Sequence, residues 1–213
     1  MLPPEQLRTP DWFAETLERE LRPWLKLSAP QVAQLYAHYD LLQRWNKKIG
    51  LTTVKPGVET VLRHYCESLF FGAHFPGSLA RIHVADIGSG AGFPGIPLAI
   101  QNPDWGVKLI EANQRKAVFL REATHLVNNV AVLGERAEDV QISCDWIVSR
   151  AVNPVEVVRS VPRIASQVAL MVGRDDFSTI KSTPDIAWSE PVQLPWGDRR
   201  ICVYGMFHVE RST

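Results

Sequence analysis

Three glycines at positions 88, 90 and 92, framed by the acids Asp86 and Glu111, form the densest chemistry-bearing pattern in this chain of 213 residues. They lie in Val84-Ala85-Asp86-Ile87-Gly88-Ser89-Gly90-Ala91-Gly92-Phe93-Pro94-Gly95. Glycine lets a backbone turn sharply and approach a ligand without side-chain obstruction. An apolar run leads into the loop and a helical pattern follows it, which is the context of a cofactor loop. A dinucleotide fingerprint, GxGxxG, needs its third glycine at position 93, which holds Phe93; the spacing here is GxGxG. Glu111 closes the next apolar run, where a carboxylate can accept hydrogen bonds from both hydroxyls of a ribose. That role serves several nucleoside cofactors, so Glu111 does not choose among them.

Other residues with chemical capacity stand further along. Arg136-Ala137-Glu138 follows the third apolar run, and Glu138 reads equally as a ligand contact or an exposed acid. Arg150 ends the fourth run, where it can meet a carboxylate, a phosphate or a guanine, or form an ion pair with a neighbouring acid. Five basic residues (Arg44, Lys47, Lys48, Lys55, Arg63) and one acid (Glu59) lie between Leu41 and His64, while the first forty residues lean acidic. Such a segment can face phosphate or simply water. His64, inside a helical pattern, reads as a ligand contact or as a packed, hydrogen-bonded core residue. Arg115 and Lys116 open a helix, where solvated side chains explain them adequately and a role against RNA phosphate is the sharper alternative.

The elements that must position these groups follow from periodicity. Pro30 opens a helix in which Val32, Leu35, Tyr36, Tyr39 and Leu42 recur at three- and four-residue steps. A shorter helix is expected between Trp12 and Leu27, bent or ended by Pro23, and another from Val58 to Gly72. Between the last two, Trp45–Pro56 reads as a polar, basic loop. After Gly77, apolar runs at Ile82–Ile87, Val107–Ile110, Val130–Leu133, Trp146–Val148 and Val168–Val172 alternate with helical stretches at Ile96–Gln101, Gln114–Asn128 and Pro154–Ala165. This alternation predicts a mostly parallel α/β sheet covered on both faces. Ile186–Leu194 and Ile201–Val209, joined by the turn-rich Pro195–Arg200, predict an antiparallel hairpin at the sheet edge. The expected organisation is an N-terminal helical extension with a basic loop (1–78) and a ligand-binding domain (79–213).

Zero net charge excludes a uniformly basic coat. No apolar run approaches the roughly 20 residues needed to span a bilayer, and the N-terminus lacks a signal-peptide pattern. Cys66, Cys144 and Cys202 form no CxxC pair and no zinc-like cluster with histidine, so no metal site and a reducing, cytoplasmic setting are expected.

The GxGxG loop with Asp86 ahead of it resembles motif I of the class I methyltransferases, whose Rossmann-like fold binds S-adenosylmethionine. The hairpin ending agrees, because a dinucleotide fold continues with a second parallel half. A wider resemblance takes in Trp45-Asn46-Lys47-Lys48-Ile49-Gly50-Leu51-Thr52, Arg63-His64-Tyr65-Cys66-Glu67-Ser68-Leu69, Asp86–Pro97, Arg115–Glu122 and Val148-Ser149-Arg150-Ala151, in that order. Together these are similar to the bacterial 16S ribosomal RNA guanine-N7 methyltransferases, the glucose-inhibited division protein B family.

That resemblance implies methylation of N7 of one guanine in small-subunit rRNA by a monomeric enzyme, its partner being the rRNA, the subunit or an assembly intermediate. It implies cofactor contacts from Gly88, Phe93, Ala137, Glu138 and Arg150, beside Asp86, Ser89, Gly90, Gly92 and Glu111 from the loop reading, with Arg150 near the methyl-transfer point. Asn46, Lys47, Lys48, Arg63 and His64 are then the expected RNA surface. Guanine N7 carries a lone pair and no proton, so alignment can supply much of the rate without a base. The chain offers no Pro-Cys nucleophile, and Asn153-Pro154-Val155-Glu156 only echoes an amino-methylating motif. Val172 stands where the family carries a lysine, with Arg174 as the candidate substitute. A noncatalytic RNA-binding or assembly factor on the same fold, and a methyltransferase acting on a protein or small molecule, are the alternative functions. A nicotinamide-dependent oxidoreductase is more distant.

Overall fold

The computed structural model describes residues 9–54, 56–77, 80–197 and 199–207. Helix α1 spans Pro10–Leu21, with Thr9 as its cap, and stops two residues before Pro23. Helix α2 spans Ala29–Ile49, opened by a reciprocal Ser28–Gln31 capping box and closed by Gly50 in the left-handed conformation. Here the structure corrects an expectation: Asn46, Lys47 and Lys48 belong to the last turn of α2 rather than to a loop. Basic side chains suit a helix C-terminus, where they complement the exposed carbonyls. Trp45 also secures this end, donating from Nε1 to Glu122 at 3.0 Å and packing on Phe119.

The third helical segment is composite: α3 (Val58–Thr60), a π-helical stretch at Val61–Cys66, and α4 (Glu67–Ala73). The wide turn contains Arg63 and His64, and such insertions recur at functional sites. Then the chain enters the sheet through β1 (His83–Ile87), α5 (Gly95–Gln101), β2 (Gly106–Ile110), α6 (Gln114–Thr124), β3 (Val130–Leu133), β4 (Trp146–Arg150), α7 (Pro154–Ile164) and β5 (Gln167–Gly173). A helix that the sequence pattern did not announce, α8 (Arg174–Ile180), comes next. The described residues close with β6 (Ile186–Trp188), β7 (Val192–Gln193) and β8 (Arg200–Phe207).

Strand order is β3-β2-β1-β4-β5-β8-β6, with β7 also on β8. The first five strands pair in parallel, and β8 runs antiparallel to β5. The expected antiparallel ending is present, and its second arm lies inside the sheet rather than at its edge. Five buried residues in the middle of β8, Ile201 to Tyr204 and Gly205, require neighbours on both sides, whereas the short β6 and β7 can serve as an edge. The tail beyond Phe207, including the end of the expected Ile201–Val209 run, lies outside the described residues.

Central β1 is buried over its last four positions, apolar except for Asp86, as expected of a parallel strand covered on both faces. One hydrophobic cluster joins α1, α2 and the π-helical stretch (Phe13, Leu35, Tyr39, Tyr65) to one face of the sheet (Val84, Leu109, Val148, Met171). A second fills the opposite face under α7 and α8. The N-terminal helices therefore share a core with the sheet whose strand ends carry the glycine loop. Among the described residues, no helix is long and apolar enough to cross a membrane.

Candidate functional site

Strand order reverses direction of growth between β1 and β4, and ligands of open α/β sheets bind beyond the strand ends at such a switch point. The glycine loop leaves β1 there and Arg150 closes β4 beside it. Gly88, Gly90 and Gly92 have φ of +72°, +58° and +87°, so all three adopt the left-handed backbone that L side chains resist. Ser149 ties the two strand ends together by donating from its hydroxyl to the Ile87 carbonyl at 2.8 Å.

Asp86 does not face the cleft. It is fully buried, and its Oδ2 accepts the Gly95 N–H at 3.0 Å while Oδ1 has no partner. Burial pushes its carboxyl up to about 7. A carboxyl whose folded pKa lies above its ordinary 3.8 stabilises the fold fully at low pH, and that contribution is lost between about pH 4 and about pH 7. Asp86→Asn, which stays neutral, is expected to gain stability relative to wild type steadily across that window and hold the gain above it. Urea denaturation of both proteins at pH 5 and pH 8 measures this; a stability difference independent of pH contradicts it.

Glu111 faces the loop. Its Oε2 accepts the Gly90 N–H at 2.9 Å and its Oε1 the Asn113 N–H at 2.8 Å, which aims the carboxylate from the end of β2. Phe93, at the position where a dinucleotide loop has glycine, is buried in an aromatic cluster. It stacks on His64 (centroids 4.7 Å apart, planes at 17°) and meets Tyr65 edge-on at 5.0 Å and His38 at 5.3 Å. Phe93 thereby anchors the glycine loop to the N-terminal helices, a task no glycine can perform.

The cleft beyond this loop, about 220 Å3, is lined by Gly88, Ser89, Gly90, Phe93, His64 and Arg150, with Leu51, Thr52, Ala91, Lys116 and Ala151. A larger hollow of about 380 Å3 lies along α1, among Leu17, Leu21, Leu25 and Val32 with Glu18, Arg22 and Lys26 at its wall, away from the glycine loop. Arg150 is held from two directions: Nη1 lies 3.1 Å from His64 Nδ1, and Nη2 lies 3.4 Å from Glu67 Oε2. The opposite oxygen of Glu67 takes Arg200. For Arg150 the sequence admits an ion pair or a ligand contact, and the structure provides the ion pair on the wall of the cleft. Burial draws Arg150 down to about 10 and lifts the fully enclosed Glu67 to about 7. Burial, then the charges of Arg150 and Arg200, lower His64 to about 3, so its ring is neutral.

Of the expected RNA residues, Lys47, Lys48 and Arg63 are exposed, Arg63 pairing with Glu59 at 3.0 Å. Asn46 is turned inward, its Oδ1 accepting the Thr52 N–H at 2.8 Å. His64 is enclosed, with Nε2 at 2.9 Å from Thr52 Oγ1. Gly92, Glu111, Ala137 and Glu138 are not on the cleft wall. Exposed Glu138 pairs with Arg136 at 3.1 Å, and the Ala137 carbonyl accepts from Arg163. Val172 is buried in β5, and Arg174 donates to Gln193 at 2.6 Å, away from the cleft. Sequence reasoning missed Glu67, Arg200 and Thr52 as site components, and favoured a solvated role for Lys116, which lines the cleft. The signal for Glu67 was its place in the Arg63–Leu69 segment, beside Arg63 and His64.

A sheet of this order, a GxGxG loop at its switch point and an oriented acid after β2 define a class I S-adenosylmethionine-dependent methyltransferase. The fold is shared with a SAM-dependent methyltransferase from Aquifex aeolicus (TM-score 0.55, 16% identity, 70% of this chain and 93% of that one). It is shared as well with Aeropyrum pernix fibrillarin, solved with natively bound S-adenosyl-L-methionine (TM-score 0.53, 13% identity, 66% of this chain and 73% of that one). Residues 31–176 match the family model GidB, rRNA small subunit methyltransferase G, and the chain belongs to that family. Relatives named ribosomal RNA small subunit methyltransferase G include one from Nitrosomonas europaea, 35% identical over 162 residues (71% of this chain, 74% of the relative). Another, from Xanthomonas euvesicatoria pv. vesicatoria, is 35% identical over 201 residues (88% and 92%).

The residues present fit the cofactor. A Cβ built at Gly90 meets only the Gly88 carbonyl oxygen, at 3.8 Å, so the loop leaves open room at its crest. Beside that crest stands Glu111, a buried carboxylate oriented by the Gly90 and Asn113 N–H groups, whose remaining lone pairs suit a ribose.

Proposed function

We propose that this protein methylates N7 of a guanine in small-subunit ribosomal RNA, using S-adenosylmethionine. The observation that carries the reading is the condition of the ionisable groups around the cleft. His64 has both ring nitrogens engaged, by Arg150 and Thr52. Asp86 is turned to Gly95, and Glu67 is enclosed between two guanidiniums. None of these groups stands ready to remove a proton. A cleft of this kind suits a nucleophile that already carries a free lone pair, as guanine N7 does, and alignment supplies the acceleration.

S-adenosylmethionine supplies an electrophilic methyl group. Gly88, Ser89, Gly90 and Phe93 shape its seat, with Gly92 keeping the turn, Asp86 fixing the loop to α5 and Glu111 facing the ribose. Ala137 and Glu138 border the adenine end. Arg150, from the end of β4, faces the guanine or its phosphate and brings positive charge to the transfer point. Lys47 and Lys48 on the last turn of α2, with Arg63, present the RNA-facing surface; Asn46 and His64 hold that surface to the cleft. The substrate places the enzyme in the bacterial cytoplasm, where it acts as a monomer on the rRNA or subunit.

The direct test is methylation of small subunits from a strain lacking the modification. Appearance of N7-methylguanine supports the reading. Its failure with a folded, cofactor-binding protein, or RNase-insensitive methylation of cell extract, overturns it. Lys47→Ala combined with Lys48→Ala is expected to weaken RNA binding and reduce the slope of log affinity against log salt by roughly 1 to 2. Cofactor affinity is expected to be unchanged, because neither lysine lines the cleft. An equal fall in both affinities contradicts this division of labour.

A further inference from the structure

We propose that Thr52 is a specificity-determining residue whose hydroxyl donates a hydrogen bond to O6 of the target guanine. The assignment rests on the guanine-N7 reading and deepens it. Hydrogen-bond directions along Arg150, His64 and Thr52 follow from chemistry. A guanidinium has donors and no acceptor, so Arg150 Nη1, at 3.1 Å, donates to His64 Nδ1. A ring nitrogen that accepts carries no proton, which places the single N–H of this imidazole on Nε2. That N–H then donates to Thr52 Oγ1 at 2.9 Å. The backbone N–H of Val54 donates to the same oxygen at 3.2 Å.

A hydroxyl has two acceptor lone pairs and one donor proton. Both lone pairs of Thr52 are filled, so what remains is its O–H, and Thr52 stands on the cleft wall with Gly88, Phe93 and Arg150. An unrestrained threonine accepts or donates as its partner demands. Here His64 and Val54 leave it only the donor role. Guanine shows two acceptors on this edge, N7 and O6, whereas adenine shows the N7 acceptor beside an N6 amino donor. When N7 is presented for methylation, the adjacent exocyclic atom distinguishes the two bases. A fixed donor there bonds O6 and opposes an amino group.

The test compares wild type, Thr52→Val and Thr52→Ser in single-turnover methylation of small-subunit RNA. Its target position carries either guanine or 2-aminopurine, which keeps N7 and lacks O6. The guanine-to-2-aminopurine rate ratio is expected to be roughly tenfold to a hundredfold larger for wild type than for Thr52→Val. Thr52→Ser is expected to recover most of that preference. Taking the ratio of ratios cancels any intrinsic difference in nucleophilicity between the bases. Calorimetry with S-adenosylhomocysteine is expected to give all three proteins the same affinity within about twofold, the variation of a residue that does not touch the cofactor. If Thr52→Val prefers guanine as strongly as wild type, or loses cofactor affinity in step with rate, the assignment is overturned. If wild type forms no N7-methylguanine on the all-guanine RNA, the underlying function fails first, and that outcome is distinct from a variant retaining the preference.

Discussion

Gly90→Val is expected to lower S-adenosylmethionine affinity by at least about 100-fold while the protein remains folded. Gly90 has φ of +58°, a conformation costing an L residue about 1–2 kcal/mol and a β-branched one more. The fold itself has space for the substitution, since a Cβ there meets only the Gly88 carbonyl oxygen at 3.8 Å. The valine branches therefore project into the room left for the ligand. Relaxation of the strained φ also pulls the Gly90 N–H away from Glu111, to which it donates at 2.9 Å, and frees the carboxylate proposed to bind the ribose. Gly90→Ala isolates the backbone component and is expected to fall between wild type and valine. Gly88→Val is a different experiment: its Cβ lies 2.4 Å from Val152 Cγ2, so it disturbs packing and folding as well. Calorimetry with S-adenosylhomocysteine, and the rise in melting temperature that a native-state ligand produces, check the result. Unchanged affinity in a folded Gly90→Val protein contradicts the placement.

Glu67→Ala is expected to destabilise the protein by about 3–5 kcal/mol, the usual consequence of removing one partner from a buried charge group. Glu67 is fully enclosed between Arg150, at 3.4 Å, and Arg200. Without it, two guanidiniums, with side chains only 12% and 26% exposed, face each other uncompensated. For a chain of this size the melting temperature is expected to fall by roughly 10 °C. Arg200→Ala is expected to be milder, because Glu67 then retains Arg150 and a neutral pair remains. A Glu67→Ala loss below about 1 kcal/mol by urea denaturation means that water already screens the cluster.

The pattern of elements was legible because its causes are local. Alternating apolar runs and helical periods, Pro30 at the start of α2, and glycines where φ must be positive are each set by near neighbours in the chain. Helix boundaries shifted where tertiary support acts: α2 continues through Lys48 because Trp45 is gripped by Glu122 and Phe119, and α6 stops at Thr124, four residues short of Asn128. The insertion of β8 beside β5 followed from burial on both faces, which a single apolar run does not specify.

The glycine loop and Glu111, and with them the nucleoside-bearing cofactor class, were determined by the sequence alone, because a tight turn against a ligand has a steric signature that only glycine satisfies. The Thr52–His64–Arg150–Glu67–Arg200 chain was decided by the tertiary structure. Its members come from the segment after α2, the π-helical stretch, β4, α4 and β8, and Arg200 meets Glu67 across 133 positions of sequence. No periodicity links residues that far apart; packing of the N-terminal helices on the sheet brings their charges together, and burial then compels them to pair.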